Sequence, residues 1–103
     1  MITIEFKPDT FTLDITGHAE HGKKGEDIVC SAISTLFYTL AQSLYESADM
    51  LEDISFSDKD GNGHISCKPK AEYEANVSLI YWTILNGFQL VADNYEKNVV
   101  LRV

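Results

Sequence analysis

Basic residues are scarce in this 103-residue chain. Lys plus Arg number 8 against 16 for Asp plus Glu, a formal charge of −8. Phosphate binding needs a basic face, so direct nucleic-acid binding is not expected. An acidic body keeps a protein soluble and steers basic partners toward it, so a basic polypeptide is the partner this balance suits. Cysteine is scarce too: Cys30 and Cys67 are the whole set. That excludes a disulfide-rich scaffold, and both thiols are expected to be reduced. The opening Met1-Ile2-Thr3-Ile4-Glu5-Phe6 lacks the basic and then apolar regions of a secretory signal. No apolar run is expected to reach membrane-spanning length, so a cytoplasmic protein without a membrane partner is expected. No repeat, low-complexity tract or long linker divides the sequence, and one domain over 1–103 is expected.

What is present reads as alternating and helical patterns. Ile2, Ile4 and Phe6 alternate with polar residues, as do Phe11, Leu13 and Ile15. These predict two strands joined at Pro8-Asp9. Ile28 to about Ser47 predicts a helix with the stripe Ile28, Val29, Ala32, Ile33, Leu36, Phe37, Leu40, Ala41 and Leu44. Two shorter strands follow near Asp53–Ser57 and His64–Lys68. A second helix is predicted from about Ala71 to Tyr95, and a last strand over Val99–Val103. The order is ββαββαβ, an α+β fold with two long helices on a mostly antiparallel sheet.

Charge is missing where a surface helix would show it. None occurs from Ile28 to Tyr45 or from Val77 to Ala92. A helix on one sheet normally carries charge on its outer side. The outer faces here offer Ser31, Ser34, Thr35, Tyr38, Thr39 and Gln42, then Leu79, Trp82, Asn86 and Leu90. A second sheet layer or a dimer mate is therefore expected over them. Gly87 within the second helix points to close approach of another backbone.

Chemistry concentrates between His18 and Cys30. Asp27 suits an N-cap, which puts Cys30 at the third helical position, where unpaired amides and the helix dipole favour a thiolate. His18 follows a strand directly and His21 lies three residues on, so either imidazole could serve as base to the thiol. The other reading of Cys30 is a small buried hydrophobe. Zinc held by His18, His21 and Cys30 is the chemical rival. The spacing His64-x-x-Cys67 repeats the two-residue gap, but on a strand those side chains point to opposite faces. Asp58-Lys59-Asp60-Gly61-Asn62-Gly63 matches half a calcium loop, yet Pro69 stands where a bidentate Glu is required, so a turn between strands is the reading. No cofactor and no metal are expected.

The run Gly17-His18-Ala19, then Gly22, Gly25 and Asp27-Ile28-Val29-Cys30-Ser31-Ala32, resembles the signature of the bacterial ribosomal-processing cysteine protease family, Prp. The resemblance covers the chain nearly end to end; Ser31 departs from the alanine of many relatives. It implies a cysteine endopeptidase that removes the N-terminal extension of large-subunit ribosomal protein twenty-seven. It also implies Cys30 as nucleophile, His18 as general base and acid, and a homodimer. Three further roles are expected from the residues. Asp27 either caps the helix or orients His18. Ser34, one turn past Cys30, either faces the same cleft or bonds its own backbone. Gly22 and Gly25 let the loop close over substrate.

Overall fold

The computed structural model describes residues 1–17 and 27–103. Apolar alternation builds β1 (Ile2–Lys7) and β2 (Thr12–Gly17). The helical stripe builds α1 (Ile28–Glu46). β3 (Leu51–Lys59) and β4 (Asn62–Pro69) follow, then α2 (Glu74–Asn94) and β5 (Val99–Arg102). The order is the expected ββαββαβ. The strands form one five-stranded sheet in the order β3-β4-β2-β1-β5. β1 and β5 run parallel, while the other pairs are antiparallel.

Strand parity decides which face is buried. Ile2, Ile4, Phe6, Leu13, Ile15, Ile65 and Cys67 join Val29, Ile33, Phe37 and Leu40 of α1 and Val77, Tyr81, Leu85 and Phe88 of α2 in one core. Both helices thus lie on one side of the sheet. The other side carries Thr3, Glu5, Asp14, His64 and Ser66, and His64 Nδ1 sits 2.6 Å from Asp14 Oδ1. His64 and Cys67 therefore do face opposite ways.

The turn Asp60-Gly61 closes β3 onto β4, with Lys59 opposite Asn62. Asp60 has φ 54° and Gly61 φ 78°. Positive φ at both central positions marks the type I′ turn, whose twist matches that of the strands. The strands are longer than predicted because this two-residue turn leaves the rest of the acidic run in the ladder. At the other hairpin, Pro8–Thr10 form a 3₁₀ turn and Phe11 takes φ 49°. The Tyr81 hydroxyl donates to the Phe11 carbonyl at 2.7 Å and fixes that turn to α2.

Two expectations change. Among the described residues no second sheet covers the helices, and Tyr38, Tyr45, Leu79, Trp82 and Leu90 stay exposed. Part of the missing charge has a local answer: hydroxyls on the outer faces bond the preceding turn, with Thr35 to Ser31 O at 2.8 Å, Thr39 to Thr35 O at 2.6 Å and Thr83 to Leu79 O at 2.7 Å. Among the described residues the atoms nearest to Gly87 across the helix interface belong to a side chain rather than to backbone. A Cβ there would lie 2.7 Å from Leu36 Cδ2 of α1, so its role is to let the two helices close on each other. In addition, α1 is by length and composition apolar enough to cross a membrane, contrary to the expectation above. Here Val29, Ile33, Phe37, Leu40, Ala41 and Leu44 of α1 are buried in the core.

Candidate active site

The site is built where β2 ends and α1 begins. Gly17 closes β2 with φ 91°, and a Cβ on it would collide with the Met1 carbonyl oxygen. Glycine is therefore needed at the residue that precedes His18. His18, His21, Gly22 and Gly25 themselves lie outside the described residues, so the general-base, zinc and loop-closure expectations fall there as well. Ile15 of β2 and Ile33 of α1 line one cavity, so β2 and the second turn of α1 meet there.

Asp27 is the N-cap of α1. It is 7% exposed, in extended conformation, and its Oδ1 accepts from the Val29 N–H at 2.9 Å and the Cys30 N–H at 3.1 Å. The capping role foreseen for Asp27 is thus occupied. It commits the Cys30 amide that an oxyanion would otherwise use. Cys30 follows at the third helical position, half-buried at the edge of the core, with no disulfide.

Ser34 lies one turn beyond Cys30 and is exposed. Its neighbours Thr35 and Thr39 bond their own helix, but no hydrogen bond holds the Ser34 hydroxyl among the described residues. It lines the cavity between α1 and the β3–β4 hairpin, together with Ile15, Ile33, Phe37, Tyr38 and Asp58. Sequence reasoning missed this wall. The signal was present in β3, where Ile54, Phe56 and Asp58 share parity, so the carboxylate continues an inward-facing row.

Cys67 is a different thiol. It is buried in the sheet core, 3.6 Å from the Tyr81 hydroxyl. Burial pushes its thiol upward from the ordinary value, a pull that the Tyr81 contact only offsets. Burial likewise pushes the Tyr81 phenol well upward. Both groups are held neutral. Among the described residues no three His, Cys, Asp or Glu side chains gather as metal ligands.

Comparison with known proteins makes the chain a cysteine protease. The family model described as Cysteine protease Prp matches residues 1–100, and the chain belongs to that family. The ribosomal processing cysteine protease Prp of Staphylococcus aureus is 29% identical over 100 residues, covering 97% of this chain and 92% of that one. The crystal structure of the essential ribosomal processing protease Prp from S. aureus, in complex with a covalently linked product peptide, superposes with TM-score 0.80 at 27% identity. That match covers 99% of this chain and 98% of that chain. The S. aureus protease with a substrate peptide gives TM-score 0.70 at 25% identity, covering 98% and 95%.

Proposed function

We propose that this protease removes the N-terminal extension of large-subunit ribosomal protein twenty-seven, with Cys30 as nucleophile and His18 as general base and acid. The observation that carries the reading is the position of Cys30: a free thiol, half-buried at the edge of the core, in the first turn of α1. The ribosomal processing named for the S. aureus relative supports the substrate class.

In this reading the Cys30 thiolate attacks the scissile carbonyl, and the proton held by His18 passes to the leaving amine. The new N-terminus departs and a thioester remains. Water then attacks it, His18 taking the proton, and the carboxylate product leaves with Cys30 restored. Asp27 acts as a positioning residue by fixing the first turn. While it caps the Cys30 amide, the oxyanion draws its donors from elsewhere. Incubation with the extended ribosomal protein tests the proposal. Wild type is expected to cut and Cys30→Ala and His18→Ala are not; full cleavage by Cys30→Ala would remove the nucleophile assignment.

A homodimer is proposed as well, because Leu79 and Leu90 are 69% and 64% exposed on α2 and Trp82 stands beside them at 42%. Light scattering on wild type and Leu79→Asp tests it; a monomeric wild type would refute it.

A further inference from the structure

We propose that the cavity between α1 and the β3–β4 hairpin reads a basic side chain of the substrate, with Asp58 as its charge partner and Tyr38 as its aromatic wall. This rests on Cys30 as the nucleophile. Cys30 and Ser34 are four residues apart on one helical face, about 6 Å along the axis. An extended peptide advances about 3.3 Å per residue. A substrate laid from Cys30 along α1 therefore brings a residue about two positions from the scissile bond over the cavity mouth.

The cavity is about 110 Å³, room for one side chain and well below the size of a small-molecule pocket. Its floor and one wall are Ile15, Ile33 and Phe37. Phe37 stacks on Phe56 with ring centroids 5.5 Å apart, and Tyr38 lies 5.7 Å from Phe37 and 6.2 Å from Phe56. Gly63 makes that arrangement possible, because a Cβ there would lie 2.9 Å from the Phe37 ring. Asp58 sits opposite Gly63 in the ladder, on the helix-facing side of β3. It has no ion-pair partner among the described residues.

Apolar and aromatic walls with one carboxylate at the rim match the anatomy of Lys or Arg, whose stem packs on apolar surface while the head keeps its charge. An uncharged aliphatic residue would leave Asp58 facing an apolar group, and an acidic one would be repelled. The substrate class agrees. A ribosomal protein contacts RNA phosphates through Lys and Arg, so basic residues are what such a chain offers.

A randomised decapeptide library, digested and sequenced at its cut sites by mass spectrometry, tests the inference. Wild type is expected to enrich Lys and Arg about fivefold at one position within three residues of the cut. Asp58→Asn, nearly isosteric, is expected to lose that enrichment, and Asp58→Lys to replace it with Asp and Glu. Asp60→Asn makes the same charge change in the turn and is expected to keep the wild-type profile. No basic preference in wild type, its survival in folded Asp58→Asn, or equal loss in Asp60→Asn would each overturn the proposal. Failure of the nucleophile assignment would show separately, as cleavage of the library by Cys30→Ala.

Discussion

Cys30 and Cys67 are the same side chain in opposite settings. Cys30 stands at a helix start, half-buried, at the edge of the core. Cys67 stands mid-strand, under α2 and against the Tyr81 hydroxyl. Burial holds Cys67 protonated, whereas Cys30 keeps part of its surface open to solvent. With Cys30 as the proposed nucleophile, the element beneath a thiol, more than the thiol, decides between packing and chemistry.

The largest test of that contrast is activity. Cys30→Ala is expected to lose at least about a thousandfold in cleavage, while Cys67→Ala keeps nearly all of it. Equal losses would erase the distinction. Next comes reactivity. Iodoacetamide on the native protein is expected to label Cys30 on the order of a thousandfold faster than Cys67, whose access requires opening of the core. Mass spectrometry of the labelled peptides reads the ratio, and denaturant should bring it near one.

Smaller is the alkaline response. Burial raises Cys67 and Tyr81 in the folded state, so both are neutral there while the unfolded groups ionise at about pH 8.5 and 10. Above those values the unfolded chain binds fewer protons than the folded one. Stability is therefore full below about pH 8.5 and declines as pH rises past each value. Thermal midpoints from pH 7 to 11 measure the slope; Cys67→Ala is expected to flatten its lower part and Tyr81→Phe its upper part. The smallest effect is local to Cys30. Asp27→Ala removes the cap at a cost of about 1–2 kcal/mol, and Asp27→Asn recovers most of it, read by denaturant unfolding.

Much of the scaffold was legible because its signals are local. Ile2, Ile4 and Phe6 announce a strand by parity, Ile33, Phe37 and Leu40 a helix by period, and Asp60-Gly61 a hairpin by its backbone demands. Asp27 as N-cap was legible for the same reason. Of the two coverings expected for the helices, the second sheet is not present among the described residues, because an absence of charge does not separate an outer sheet from hydroxyls that bond their own helix, as those of Thr35 and Thr39 do. The β1–β5 pairing joins residues far apart in sequence and no short pattern encodes it; the parity of Ile54, Phe56 and Asp58 told which face of β3 Asp58 takes, but not that α1 lies across from it. Gly87 was rightly read as a place of close approach, but whether backbone or the Leu36 side chain arrives depends on how α1 and α2 cross.

The parallel pairing of β1 with β5 sets Ile2 beside Val99 and Glu5 beside Arg102. Of all the pairings in the sheet it encloses the longest stretch of chain, and closing a loop costs more entropy as the loop lengthens. β5 has only four residues and lies at the sheet edge. It should therefore dock last in folding and fray first in the native state, when β2 and β4 are still intact. Native-state hydrogen exchange is expected to show its amides opening before theirs. On a ribosome β5 is made after the other four strands, so the sheet would be completed only once β5 itself had emerged.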